Sequence, residues 1–438
     1  VLEPKPYLYH ETINPAGVAD WCSAQYADGS VTIFGIRPVM RRPWDAERYT
    51  NPSLIAIAGK GNAANFQHAW IMATEPGMTW KSQPLRWKFT YKSPQEALDE
   101  YAKLLEIKGS LEAKVTRPGV LDKLKNAVLF KFDDRTAEDQ IKAIDTLPKN
   151  NIVHYAEYLK GGFDKEYPDH LPCNPRWGSD DDLRKLIDRA HELGHLAVPY
   201  TNTSWWCEDP RGPTFLEAGD APLSRTREGK LKHEKYARNE GYTICFHHPA
   251  VIAAHRKVRK QMTEDFKHDL LFQDQVGCRG FTWDYNPYDP LKASCREGMH
   301  SLSMEDAQHI PVGCEDANDR VLNFETLICG TVWGTVPVDG QYRFRHLKYK
   351  FPEGEWQFFP ILSYLGHDQC LFTPHDLGHF IRRPEHLCVA VAFGLTMSDT
   401  WNCRDHRSAF KKNWVHWLDA VQKTAAADYA GKKLLDFR

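Results

Sequence analysis

The stretch 179–202, SDDDLRKLIDRAHELGHLAVPYTN, decides the fold because it passes from a capped amphipathic helix directly into a strand. Ser179 followed three residues later by Asp182 forms a capping box, and Leu183, Leu186, Ile187, Ala190 and Leu193 fall on one face at helical spacing. Gly194 stands where a left-handed residue ends a helix. The apolar run after it closes on the polar Tyr200 and Asn202. Working outward, the same texture recurs. Apolar runs of strand length occur at 126–132 (NAVLFKF), 152–158 (IVHYAEY), 269–274 (DLLFQD), 310–316 (IPVGCED), 327–333 (LICGTVW), 370–376 (CLFTPHD) and 395–401 (LTMSDTW). Helical patterns intervene after Pro249, after Ser303 and over 384–393, the last ended by Gly394. Strands alternating with helices imply a parallel sheet. About eight such units without a glycine-rich nucleotide fingerprint predict an α/β fold of the (β/α)8 TIM-barrel type.

The flanks read differently. Residues 1–92 are rich in Pro, Gly and Trp, with short alternating runs such as SVTIFGI (30–36) and LRWKFTY (85–91), which predict a β-sandwich domain truncated at its start. Ser93-Pro94-Gln95-Glu96 caps a helix that Gly109 terminates, so 93–119 reads as a helical linker and 120–438 as the barrel. Hydrophobic residues make up 42% of the chain, but no apolar run reaches the ~18–20 residues of a membrane span. With 56 Lys+Arg against 58 Asp+Glu and no basic stripe, nucleic-acid binding is excluded as a class. None of the 11 cysteines forms a CxxC pair, which removes zinc ribbons, and an odd count leaves at least one thiol free. A signal peptide removed ahead of Val1 would make the protein secreted or periplasmic.

In a TIM barrel the chemistry stands at the C-terminal strand ends. These carry Asp133 and Asp134, Glu157, Tyr200 and Asn202, Asp274 and Gln275, Glu315 and Asp316, His375 and Asp376, and Asp399. Asp274 and Glu315 each follow directly on a buried-looking run, one βα unit apart. Paired carboxylates at one mouth suit glycosidic cleavage, which needs a nucleophile and an acid and no cofactor or metal. The competing view makes them helix caps or partners of Arg279 and Arg320. Asp284, in WDYN, competes for the nucleophile role from a loop, a less fixed position than the strand end of Asp274. Trp205, Trp206, Trp283, Trp333 and Trp401 near strand ends fit a carbohydrate, whose apolar faces pack on aromatic planes, though each could equally pack in the core. Tyr200, Asn202, Trp206, Gln275, Trp283, Asp284, His375 and Asp376 are the candidates for holding the sugar.

Three of these stretches together, WGSDDDLRKLIDRAHELGHLAVPYTNTSWW, LLFQDQVGCRG and VGCEDANDR, resemble a little-characterised family of TIM-barrel proteins classed with retaining α-glycosidases. That family is distantly similar to endo-α-N-acetylgalactosaminidases. The resemblance covers roughly 125–400 and a preceding β-sandwich. It implies a retaining glycoside hydrolase with Asp274 as nucleophile and Glu315 as acid/base, acting on an oligosaccharide or glycan. Strand five reads Glu315-Asp316-Ala317 where the family has Glu-Gly, which leaves Asp316 open as the acid.

Two rivals follow from the residues. A non-catalytic carbohydrate-binding barrel would keep the tryptophans and tolerate loss of either carboxylate. A zinc metalloprotease would use His191-Glu192-Leu193-Gly194-His195, an H-E-x-x-H match that His375-Asp376-Leu377-Gly378-His379 imitates. Gly194 should stop the helix before the second His, and Val198 and Thr201 stand where the longer metzincin motif needs Gly and His.

Overall fold

The computed structural model describes residues 7–9, 12–13, 16–17, 19–26, 29–36, 40–45, 53–60, 63–70, 72–90, 94–107, 109–236, 239–280, 282–330, 337–338, 341–342, 360–374, 381 and 384–435. Eight short strands form one parallel sheet: first Leu129–Phe132, second Ile152–Tyr155, third Leu196–Thr201, fourth Leu271–Gln273, fifth Val312–Glu315, sixth Leu327–Cys329, seventh Leu371–Thr373 and eighth Ser398–Trp401. They pair in chain order, and the eighth returns to lie beside the first, with Ser398 opposite Leu129. At the remaining seam the Thr396 amide donates to the Phe372 carbonyl at 2.7 Å and the Ser398 hydroxyl to the Pro374 carbonyl at 2.8 Å. This is the TIM-like barrel that the alternation predicts. Six of the strands are buried along their whole length, as a sheet covered on both faces requires.

The deciding stretch folds as its pattern dictates. The helix Asp180–Glu192 carries the full capping box of Ser179 with Asp182, buries Leu183, Leu186, Ile187 and Ala190, and ends at a left-handed Gly194 with φ +79°. It packs against the third strand and against the helix Ala137–Ile144.

Before the barrel, a four-stranded antiparallel sheet runs Tyr7–Tyr9, Trp21–Tyr26, Gly29–Gly35, Leu85–Thr90 in spatial order, beside a separate hairpin of Ser53–Lys60 and Ala63–Trp70. Cys22 and Ile33 of the sheet pack with Phe66 of the hairpin. This is antiparallel structure in small sheets, coarser than the two-sheet sandwich expected over 1–92. The helix Pro94–Leu104 buries Ala97, Leu98 and Tyr101. The Tyr101 hydroxyl accepts from the Asp20 amide at 2.8 Å and donates to Asp319, so one side chain ties the sheet to the loop behind the fifth strand. All eleven cysteines are free thiols. Among the described residues no helix is long and apolar enough to cross a membrane.

Under the barrel, Lys114 inserts its ammonium among the carbonyls of Leu322, Glu325 (2.8 Å) and Gln369 (2.7 Å), which precede the sixth and seventh strands. Lys114→Met removes the charged donor that these carbonyls share and leaves Leu322 and Glu325 only the Cys370 thiol. It should cost about 2–3 kcal/mol of stability, read as a lower urea midpoint, and an unchanged midpoint would refute this role.

Candidate active site

The parallel register sets Gln273 of the fourth strand beside Cys314 of the fifth, so the next residues, Asp274 and Glu315, come off adjacent strand ends. Asp274 Oδ2 accepts from the Tyr200 hydroxyl at 2.6 Å and from Asn202 Nδ2 at 3.0 Å, both from the end of the third strand. Its amide is held by the Thr201 carbonyl at 2.8 Å. Asn202 is fixed in turn: its amide donates to His170 Nε2 at 3.0 Å, and its Oδ1 accepts from the Ser204 amide at 3.0 Å. Glu315 shares a hydrogen bond with Asp274, and its Oε2 accepts from the Cys278 thiol at 3.3 Å. Burial, then the charges of Asp274 and Asp316, push the Glu315 carboxyl far above the usual carboxylate range. Glu315 therefore keeps its proton at neutral pH while Asp274 faces two donors suited to a carboxylate.

The backbone around the pair is strained where it turns. Gln275 (φ +66°) and Asp316 (φ +52°), the residues after each carboxylate, both adopt the left-handed conformation that costs non-glycine residues of order ~1 kcal/mol or more. Gly277 then lays the fourth-strand loop on the end of the fifth strand. A Cβ there would lie 2.0 Å from the Asp316 carbonyl oxygen and 2.7 Å from that of Glu315. Asn318 Nδ2 bonds the Gly277 carbonyl at 3.0 Å across the same contact.

Several residues expected at the sugar serve other ends. Tyr200, Asn202 and Gln275 are buried and hold the Asp274 loop, with Gln275 Oε1 accepting from Ser204 at 2.7 Å and Arg279 at 3.0 Å. Asp284 is corrected to a structural role. It is fully buried, its Oδ2 accepts from Ser224 at 3.0 Å and its Oδ1 from the amides of Arg225 and Asn286, both at 2.9 Å. Those bonds tie it to the loops at Ser224–Arg225 and Asn286. Trp206 is likewise corrected to core, buried with its ring 5.3 Å from Phe215; Trp205 and Trp401 are buried too. Trp283 stays 46% exposed while its Nε1 reaches back to the Met72 carbonyl at 2.9 Å. His375, Asp376 and Trp333 lie outside the described residues. Arg279 and Arg320, offered as partners of the two acids, are ion-paired with Glu234 and Glu297 instead. Among the other strand-end acids, Asp134 accepts from the Cys403 amide at 2.9 Å, Glu157 from Gln140 at 2.9 Å, and Asp399 pairs with Lys411 at 2.7 Å.

The pentad at 191–195 does not assemble as a zinc site. The helix stops at Glu192, His191 Nε2 bonds Asp269 at 2.7 Å, and buried His195 accepts the Asn151 amide at 3.0 Å. Among the described residues the group with converging metal-ligand atoms is Glu208, His233 and Glu240, which shares no member with the pentad.

The sequence list omitted Asp164, in the loop after the second strand. It is buried and left-handed (φ +56°), and burial followed by the charge of Asp274 pushes its carboxyl up to about 7. Phe163 beside it is 46% exposed, with its ring 4.9 Å from that of Tyr200. The available signal was Gly161-Gly162-Phe163-Asp164, a flexible pair ahead of an aromatic and an acid just past a strand end.

A family model described as a domain of unknown function, DUF6259, matches residues 59–289, more than half of the chain. No curated protein matches the sequence. Among solved structures, the α-N-acetylgalactosaminidase NagBb from Bifidobacterium bifidum aligns over 95% of this chain and 69% of its own, at 15% identity and a TM-score of 0.72. The α-galactosidase TtGalA from Thermus thermophilus aligns over 92% and 76%, at 13% identity and a TM-score of 0.57. The GH36 α-galactosidase AgaA from Geobacillus stearothermophilus aligns over 98% and 59%, at 10% identity and a TM-score of 0.57. At these identities the likeness is one of fold.

Two outcomes follow from the geometry. Gly277→Ala must push the Asp316 carbonyl aside and should lower stability by about 1–3 kcal/mol, measured by denaturant unfolding; a neutral change would mean that the two loops do not press together there. Asp164 binds its proton more tightly folded than unfolded, where its pKa is about 3.8, so stability falls as pH rises from there through about 7. Asp164→Asn removes that loss. Its melting temperature should exceed the wild type's at pH 8, with the gain shrinking towards pH 4, and a pH-independent difference would contradict the assignment.

Proposed function

This chain belongs to the DUF6259 family, a domain of unknown function, and we propose that it is a retaining glycoside hydrolase with Asp274 as nucleophile and Glu315 as acid/base. The observation that carries the reading is the buried pair itself, one carboxyl offered two hydrogen-bond donors and the other holding a proton against it. In this reading Asp274 attacks the anomeric carbon as the glycosidic bond breaks, and the Glu315 proton passes to the departing oxygen. The covalent glycosyl–Asp274 ester then yields to water, whose proton returns to Glu315 as the new bond forms. Inverting enzymes keep their carboxyls roughly 6.5–9.5 Å apart to admit a water between them, and retaining ones about 5–5.5 Å. That the two carboxyls come off adjacent strand ends supports the closer, retaining arrangement. Glu315 is preferred over Asp316 because it is the one bonded to Asp274.

The substrate class that the fold supports is an α-linked galactoside or N-acetylgalactosaminide, the sugars named for the solved relatives. Tyr200, Asn202 and Gln275 then act as positioning residues for Asp274. Exposed Phe163 and Trp283 are the aromatic planes open to a sugar, with His375 and Asp376 from the seventh strand end as further contacts. The division into a β-sandwich over 1–92, a linker over 93–119 and a catalytic barrel over 120–438 goes with this reading.

The test uses p-nitrophenyl α-galactoside and α-N-acetylgalactosaminide. Asp274→Ala and Glu315→Ala should each lower turnover by about 10³-fold or more without loss of fold. Azide should then separate the roles. With Glu315→Ala it attacks the glycosyl–enzyme and gives a glycosyl azide of retained configuration; with Asp274→Ala it attacks directly and gives the inverted one. Activity should fall as pH rises through the Glu315 titration, because the acid must be protonated. Near-normal turnover in either variant removes that residue from its role, and binding of both sugars without turnover would instead make this a carbohydrate-binding barrel.

A further inference from the structure

Past Asp274 the chain turns so that a cysteine meets the other carboxyl. Cys278 stands four residues after Asp274 in LLFQDQVGCRG. Left-handed Gln275 starts the turn, and its carbonyl accepts from the amides of Cys278 at 3.3 Å and Arg279 at 2.9 Å. Gly277, with no room for a Cβ against the Asp316 carbonyl, carries the chain over the end of the fifth strand, where Asn318 Nδ2 holds the Gly277 carbonyl at 3.0 Å. On the other side Arg279 is fixed by Gln275 Oε1 at 3.0 Å and by its ion pair with Glu234. Cys278 is thus clamped between two anchored neighbours, and its thiol donates to Glu315 Oε2 at 3.3 Å. The residue is half-buried, unlike Cys314 just before Glu315, which is fully buried and gives its thiol to the Asp316 carbonyl at 3.0 Å.

The thiols of Cys207 and Cys370 likewise go to backbone carbonyls, of Asp164 and Glu325, each at 3.2 Å. Cys278 instead donates to a carboxyl that must give up a proton if Glu315 is the acid. A neutral carboxyl has one oxygen that carries the proton and one that only accepts. The thiol takes Oε2 as the acceptor, which leaves the proton to Oε1. The kind of donor matters as well. A thiol is weak and uncharged, whereas an ammonium or guanidinium in the same place would favour the ionised form and strip the acid of its proton. Burial, then the charges of Glu315, Asp316 and Asp274, hold the Cys278 thiol in its protonated form, so it remains a donor.

We propose that Cys278 is a positioning residue for the acid: its thiol, by donating to Oε2, leaves the transferable proton on the opposite oxygen and stays bonded to the carboxylate once that proton has gone. The role rests on Glu315 as the acid/base of a glycosidase. As the glycosidic C–O bond breaks, the departing oxygen keeps the bonding electron pair and takes the Glu315 proton, and the new carboxylate charge forms with a donor already in place. That help counts only as far as proton transfer is needed, so it grows as the leaving group becomes more basic.

The experiment measures kcat/KM for the 2,4-dinitrophenyl and phenyl α-glycosides of one sugar, galactose or N-acetylgalactosamine, on wild type, Cys278→Ala, Cys278→Ser and Glu315→Ala. Dinitrophenolate departs with little help from an acid, and phenolate needs the proton. Cys278→Ala should lose about fivefold on the phenyl glycoside and less than about twofold on the dinitrophenyl one, and Cys278→Ser, which keeps a donor, should recover most of the phenyl rate. The ratio of the two substrates is read within one variant, so a smaller folded fraction cancels out of it. Equal losses on both glycosides, no loss on the phenyl glycoside, or a Ser variant as selective as the Ala variant would each overturn the role. A Glu315→Ala variant that loses equally on both removes the acid assignment and this role with it. A selective Glu315→Ala beside an unselective Cys278→Ala removes the role of Cys278 alone. A wild type that turns over neither glycoside of either sugar overturns the glycosidase reading and everything that rests on it.

Discussion

Two carboxyls buried in contact tolerate one negative charge between them, and that limit organises the mouth of this barrel. Two unit charges ~4 Å apart repel by about 4 kcal/mol even at an effective dielectric constant near 20, and burial adds to the cost of each. A proton on Glu315 removes the repulsion and turns it into the hydrogen bond that joins Glu315 to Asp274. The remaining charge needs donors, and Tyr200 and Asn202 supply them from the third strand. Each of those donors must itself be held, which is the work of His170 and Ser204 around Asn202. The network grows outward from a single unfavourable pairing.

Such a pairing persists only in a frame that cannot relax it away. The parallel register fixes the spacing of the fourth and fifth strands, and the sheet is buried on both faces, so neither strand shifts without losing core. Left-handed Gln275 and Asp316 turn the chain immediately after each acid, and Gly277 lets one loop rest on the other. Unfavourable backbone in the two positions next to the carboxyls is tolerable because the barrel beneath over-determines them. Lys114 on the opposite side of the sheet closes the carbonyls that precede the sixth and seventh strands, so the frame is held at both ends.

Much of this frame was legible in the sequence, because it is written in local patterns. The helix 180–192 has its cap, its apolar face and its terminating glycine within the sixteen residues 179–194, and most of the strands lie in short, largely apolar runs. Asp274 and Glu315 were legible for the same reason: a strand end has a defined direction. Loop residues have no such rule. Asp284 stood beside a tryptophan and invited a role at the sugar, but its fate was set by Ser224 and Arg225, some sixty residues earlier in the chain. Trp206 could not be sorted between core and ligand platform by type, since burying a large ring and offering it to a sugar use the same apolar surface. Asp164 escaped because the end of its strand reads at Glu157, whose half-buried carboxyl bonds Gln140.

The constraint on the pair extends to Asp164. Its carboxyl titrates near 7 because it is buried and because Asp274 already carries the local charge. A rise in pH through that value charges Asp164, and Asp274 is the carboxylate that opposes this most. Lys165 offsets this in part, while Arg279 is paired with Glu234 and Arg320 with Glu297. Had either guanidinium reached the pair, both carboxyls could ionise and neither would retain a proton to give. With their guanidinium charge paired to glutamates, burial and the neighbouring carboxylates dominate at Glu315. This keeps the mouth electronegative enough that Glu315 remains an acid at a pH where an exposed glutamate has long since ionised.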